Sequence, residues 1–267
     1  MEQTLMYPHH QQTIEGLRAR FEPDLHNLAL LIIGSVGRGE AHERSDVDCV
    51  LVVDDAEYEQ LEAAGALSFS ADDLCDYPDD HAGGSIVKLR FLQELAARGP
   101  EPARFAYIGT IVAFGRIPNL DRLLAEIPRY PEHERTEKLI SFASQLPVHL
   151  SYMQLAEWSQ NPYLLAQCAV EIALFGGRLI LAHNRMLYPN RKLFLRELER
   201  APDKPANMID LATNLLRHPG IQPAAAFCDS VLGFANWPQP PEGAMARFQR
   251  DRELQWLWGG AVPLSDS

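Results

Sequence analysis

The sequence predicts an α+β fold: a β-sheet with flanking helices over residues 1–130, followed by an all-α helical domain over residues 131–267. Three observations lead there. Short apolar or β-branched runs bounded by turn residues, LALLII at 28–33 and VDCVLVV at 47–53, lie in the first half and read as strands. After Pro131 the apolar residues recur at helical spacing instead, over 132–160 and 162–187 and then around 206–217, 222–235 and 243–258, and no strand is read there. A length of 267 residues suits two domains, each burying its own core.

The first strand stops at Gly34. The connection to the second, GSVGRGEAHERSD, carries three glycines and a serine directly after a strand, a composition that opens a short helix with outward-facing N–H groups. A helix is expected over Glu57 to Ala66, and Ser68 to Gly84 reads as an acidic, turn-rich connection containing DDLCDYPDD and a Gly83-Gly84 pair. The run SIVKLRFL at 85–92 reads as a strand leading into a helix over Leu92 to Arg98, and GTIVAFGRI at 109–117 as a further strand. Pro147 falls inside the first long helical pattern and is expected to kink or split it, because proline lacks the backbone donor and crowds the preceding turn.

Composition narrows the function. Hydrophobic residues make up 46% and charged residues 22%, as in ordinary globular proteins. The formal net charge of -12 argues against a nucleic-acid partner, since polyanion binding draws on clustered Lys and Arg, and it suits a cationic or small neutral one. Neither an uninterrupted apolar stretch of about 18 residues nor a basic-then-apolar leader is present, so no membrane partner and a cytoplasmic location are expected. Cys49, Cys75, Cys168 and Cys228 are scattered, form no CxxC pair, and read as buried free thiols.

The chemistry concentrates in Gly34-Ser35 and Ser45-Asp46-Val47-Asp48. Two residues apart on a strand, Asp46 and Asp48 project from the same face and can share hard divalent cations through oxygen ligands. Such cations stabilise the charge that builds on an α-phosphate and on departing pyrophosphate. Gly34 lets the backbone approach phosphates, Ser35 and nearby N–H groups can bond their oxygens, and Arg38 can add a charge-assisted contact.

In this order, GSVGRGEAHERSDVDCVLVV resembles the nucleotidyltransferase superfamily related to DNA polymerase β, in particular its antibiotic-modifying and minimal branches. The resemblance covers residues 28–53. It implies a mixed-sheet nucleotidyltransferase core, Mg²⁺ held by Asp46 and Asp48, and a nucleoside triphosphate, most readily ATP, lying against Gly34, Ser35 and Ser45. It also implies a helical second domain that closes over an acceptor, as in aminoglycoside and lincosamide nucleotidyltransferases. One departure stands out: the superfamily usually supplies a third carboxylate from a later strand, and the strand expected to carry it, Ser85 to Phe91, offers Lys88 and Arg90.

In the helical half, Glu171 falls in CAVEIALFGGRLILAHNR, an apolar context where a charge is costly unless paired or facing a cleft. Two readings stay open, a general base acting on an acceptor hydroxyl and an ion pair with Arg178 or Arg185. Lys192, or Arg191, is expected either to reach the triphosphate or to sit as a favourable cation beyond a helix end. His9 and His10 are expected to be exposed and inert, and Trp237, Trp256 and Trp258 to pack a helical core or the seam of a homodimer. The expected activity is Mg-dependent transfer of a nucleoside monophosphate, AMP first, to a hydroxyl of a small molecule such as an aminoglycoside or lincosamide. The alternatives are a protein-modifying minimal nucleotidyltransferase and a nucleotide-binding module whose catalysis has lapsed.

Overall fold

A computed structural model describes residues 6–75 and 81–258. The chain divides into two compact units, Met1–Arg129 and Tyr130–Ser267.

The first unit runs α1 (Pro8–Phe21), β1 (Asn27–Ile32), α2 (Gly34–Gly37), β2 (Val47–Val53), α3 (Asp55–Ala63), β3 (Ser68–Ser70), a 3₁₀ turn (Asp72–Leu74), β4 (Ala82–Lys88), α4 (Leu89–Arg98), α5 (Glu101–Ala106), β5 (Ile111–Gly115) and α6 (Leu120–Glu126). Its sheet has the order β3-β4-β2-β1-β5, with β2 and β4 parallel and the other neighbours antiparallel, so it is mixed. The central strands are covered on both faces. Val47, Cys49, Leu51 and Val53 pack into one apolar cluster with Leu17 of α1, whereas Val50 and Val52 pack into another with Leu92 and Leu95 of α4 and Ile127. That period-two division explains why β1 and β2 read as continuous apolar runs. It also assigns faces to the motif, because Ser45 shares the parity of Val47, toward α1, and Asp46 and Asp48 share the parity of Val50.

Three expectations need correction. The segment 68–84 is not simply a connection: β3, the 3₁₀ turn and the start of β4 lie in it, and Gly83 and Gly84 are strand residues. Gly84 is required by close strand approach, since a Cβ there would stand 1.8 Å from the Cys49 carbonyl oxygen. The strand expected at 85–91 ends at Lys88, and α4 begins at Leu89, because the run of Leu89, Leu92, Leu95 and Ala96 follows helical rather than alternating spacing. Finally, α1 was not anticipated; its polar sequence buries only His10, Thr13 and Leu17.

The second unit has helices and no strand among its described residues: α7 (Arg135–Trp158), α8 (Pro162–His183), α9 (Phe194–Arg200), α10 (Met208–Arg217), α11 (Ile221–Leu232) and α12 (Ala244–Arg252). Leu139, Phe142 and Leu146 of α7 share a core with Ile172, Phe175 and Leu179 of α8 and Phe227 of α11. Helix α8 is long and apolar enough to cross a membrane by length and composition, yet eleven of its residues are buried inside the unit. Pro147 does not split α7, which continues through it for 24 residues. The Ser144 and Ser151 hydroxyls donate to the Ile140 and Pro147 carbonyls on either side. Trp237 packs in the core with its ring N–H on the Val231 carbonyl, Trp256 is exposed, and the Trp258 side chain lies outside the described residues.

All four cysteines are free, and burial pushes the thiols of Cys49 and Cys228 up to about 12 and that of Cys168 to about 11, so none of these three is a thiolate near neutrality. His149 of α7 is buried, stacks on Phe175 and meets Phe248 edge-on. Burial, helped by Arg252, pushes its pKa down to about 4. The unfolded chain therefore binds a proton that the folded chain refuses between that value and the ordinary histidine value of about 6.5. Stability contributed by the neutral ring is full above the upper limit and is lost as pH falls toward the lower one. His149→Phe, compared with wild type in urea titrations at pH 7 and pH 4.5, is expected to lose less stability on acidification, by up to about 3 kcal/mol.

Candidate active site

The motif is assembled by the pairing of β1 with β2. The Ile33 N–H donates to the Asp48 carbonyl at 2.9 Å, which sets the end of β1 beside the start of β2. The chain then turns at Gly34 with φ +69°, a left-handed conformation that costs a residue with a Cβ about 1–2 kcal/mol. A Cβ on Gly34 would stand 2.2 Å from Asp48 Oδ2. Glycine is thus needed twice over, for the backbone conformation and for the space that the Asp48 carboxylate occupies.

Asp48 lies on β2 and Asp46 just before it, a correction to the reading of both on a strand. Both are exposed, alternating with buried Ser45, Val47 and Cys49, so the two acids do face the same way. Ser35 is half-buried in the turn of α2, whose first N–H groups lack intrahelical acceptors as in any helical turn. Ser45 turns inward. It is buried, its hydroxyl accepts the His42 N–H and its own N–H donates to the His42 carbonyl, both at 2.9 Å. Its observed bonds shape the loop that delivers Asp46. Arg38 is likewise engaged within the domain, with Nε on Glu40 at 3.0 Å and its guanidinium over the Phe105 ring. A phosphate contact from Arg38 competes with both.

The strand beside β2 carries no acid at this end, since Asp48 stands opposite Gly83 and Cys49 opposite Gly84. Lys88 pairs with Val53, five residues along β2 and about 17 Å away from Asp48, and its ammonium lies over Tyr58, while Arg90 belongs to α4. These cations do not occupy the position of a missing carboxylate. Within the acidic segment, Asp72 accepts the Ala82 N–H and pairs with His81; the Ser70 hydroxyl foremost, then these partners, keep its carboxyl below the usual range despite partial desolvation. Asp73 pairs with Arg20 of α1, and Asp76, Asp79 and Asp80 lie outside the described residues.

Among the described residues no cluster of three His, Cys, Asp or Glu side chains forms a ready-made metal site. Two exposed carboxylates, one of them packed against Gly34, still fit Mg²⁺, a cation that binds through one or two carboxylates together with substrate phosphates.

Comparison with known proteins agrees with this geometry: the family profile described as nucleotidyltransferase domain matches residues 11–115, from α1 to the end of β5. Residues 11–115 are a nucleotidyltransferase domain. Its activity is nucleotidyl transfer, which draws on a nucleoside triphosphate. Among solved structures the chain is similar to a nucleotidyltransferase-like protein from Exiguobacterium sibiricum 255-15, at 14% identity and a TM-score of 0.45, covering 84% of this chain and 74% of that one. No curated protein matches the sequence.

In the helical unit, Glu171 is part of an ion pair, with a partner the sequence did not suggest. Arg252 of α12 holds it with two guanidinium nitrogens, at 3.0 and 3.5 Å, while Arg178 lies over the Phe142 and Tyr188 rings and Arg185 pairs with Glu132. The contact uses both carboxylate oxygens, so the side chain is committed to tying α8 to α12. Arg191 and Lys192 are exposed in the turn before α9. Sequence reasoning missed His10, which is fully buried with Nε2 2.9 Å from the Ser45 carbonyl oxygen.

Gly34→Ala tests the glycine requirement. Gly65 has nearly the same φ, +67°, but a Cβ there meets nothing within 4 Å, so Gly65→Ala measures the backbone cost alone. Urea denaturation is expected to show Gly34→Ala less stable than Gly65→Ala by about 1 kcal/mol or more, the cost of displacing Asp48. Equal losses would mean that Asp48 moves aside freely.

Proposed function

We propose that this nucleotidyltransferase works in the cytosol and transfers AMP from ATP to a hydroxyl of a small molecule, with Asp46 and Asp48 holding Mg²⁺. The observation that carries the reading is the contact geometry of Gly34 and Asp48, which keeps a carboxylate and a side-chain-free backbone turn together on one domain. Mg²⁺ bound there supplies positive charge to the phosphates as negative charge builds during transfer. The residues of the chain do the rest. Gly34 admits the triphosphate close to the backbone, Ser35 hydrogen-bonds a phosphate oxygen, and the two aspartates fix its position for in-line attack. The acceptor hydroxyl oxygen bonds to the α-phosphorus and gives up its proton to solvent, the bond from that phosphorus to the bridging oxygen breaks, and pyrophosphate leaves.

The helical unit is the acceptor domain in this reading. A net charge of -12 favours a cationic acceptor of the aminoglycoside type, because negative potential raises its local concentration. Lincosamides are the second candidate class. Glu171 serves in this reading as the structural partner of Arg252, and not as the base. The absence of a carboxylate at Gly83 and Gly84 supports a second reading, nucleotide binding without transfer.

Pyrophosphate release from each of the four ribonucleoside triphosphates with Mg²⁺, against a panel of aminoglycosides and lincosamides, separates the two. Acceptor-dependent release from ATP, lowered at least about a hundredfold in Asp46→Asn/Asp48→Asn, is expected. Release that the double variant leaves intact contradicts the assignment. With the acceptor so found, Glu171→Gln is expected to lower the Tm and leave turnover within severalfold. A hundredfold loss of turnover at unchanged Tm would restore Glu171 as the base.

A further inference from the structure

Asp46 poses a positional problem that packing does not solve. It is exposed, it precedes β2 and so lies outside the strand ladder, yet a cation ligand has to be held within a fraction of an ångström. Its two flanking peptides are each tied to a different element. On one side the Val47 N–H donates to the His81 carbonyl at 2.9 Å, extending the pairing with β4. On the other, the Ser45 carbonyl lies 2.9 Å from Nε2 of His10. A carbonyl oxygen only accepts, so Nε2 carries the proton and donates. The His10 ring is 0% exposed and packs edge-on against both His9 and Tyr7 at the start of α1. The same Ser45 is closed onto His42 by two bonds, so the His10 contact anchors the whole 42–45 turn to α1.

We propose that His10 is a positioning residue, which through the Ser45 carbonyl sets the place of Asp46 and so the affinity of the domain for the metal–nucleotide pair. This rests on the reading of Asp46 as a cation ligand. It gives α1 a role beyond covering the sheet. Thr13, one turn further along the same buried face, is the contrast, since its hydroxyl donates to the Leu74 carbonyl, away from the motif.

Two measurements test it, neither of them turnover. The first is amide hydrogen exchange over residues 42–48 in the metal-free protein. The second is calorimetric affinity for ATP at a series of Mg²⁺ concentrations. His10→Phe keeps a ring in the packing but has no N–H donor, and His10→Asn, small enough for the buried position, is too short to reach Ser45. His10→Gln keeps a donor amide at comparable reach. The first two are expected to speed exchange across 42–48 and to raise the Mg²⁺ concentration for half-maximal ATP binding about tenfold, the equilibrium equivalent of one lost hydrogen bond. His10→Gln is expected to recover most of that loss. Thr13→Val is expected to lower the Tm without moving the Mg²⁺ dependence. A folded His10→Phe or His10→Asn with the wild-type Mg²⁺ dependence overturns the inference while leaving the metal reading intact. Wild-type ATP binding that ignores Mg²⁺, and that Asp46→Asn leaves unchanged, overturns the metal reading and this inference with it.

Discussion

The N-terminal unit depends on one close approach, that of the Gly34 backbone to the Asp48 carboxylate. The two are neighbours because the Ile33 N–H closes the β1–β2 pairing on the Asp48 carbonyl, and they are compatible because Gly34 has no side chain. Everything around the pair protects that pairing. The apolar residues of β2 divide between two cores, one facing α1 and one facing α4, so β2 has little freedom to shift in register. A slip by one residue would carry Asp48 into the α1-facing core and expose Val47. The burial of the strand thereby fixes which face the acid presents.

Charge in this chain is largely consumed locally. Arg38 is taken by Glu40 and Phe105, Arg20 by Asp73, and Glu171 by Arg252. Each of these side chains, read in isolation, is a plausible ligand for phosphate, cation or proton. Asp46 and Asp48 are exposed at the start of β2, where the backbone pairing places them. Backbone placement is also what makes His10 informative, because it acts on a peptide carbonyl and not on the acid itself.

The order of strand, glycine turn and strand was legible because period-two burial and the glycine turn are local signals, and β2 matched its expected limits residue for residue. The helical character beyond residue 130 was legible for the same reason. Elements whose evidence is non-local were not. Helix α1 has too few apolar residues to announce itself, and the start of β4 hides behind an acidic stretch because Gly83 and Gly84 answer to the Phe69 and Cys49 carbonyls on the neighbouring strands. Partner identity failed likewise. Nothing in the spacing of Glu171 points to Arg252, which is 81 residues away, and two consecutive histidines near the start of the chain give no sign that one of them reaches Ser45.

The account turns on whether the paired aspartates hold a divalent cation together with a nucleotide. Electron paramagnetic resonance of Mn²⁺ titrated into the protein, with and without ATP, reads this directly, since bound and free Mn²⁺ give distinct signals. The account predicts Mn²⁺ binding that tightens strongly when ATP is present and is abolished in Asp48→Asn. Mn²⁺ binding with ATP that Asp48→Asn leaves unaltered would contradict it.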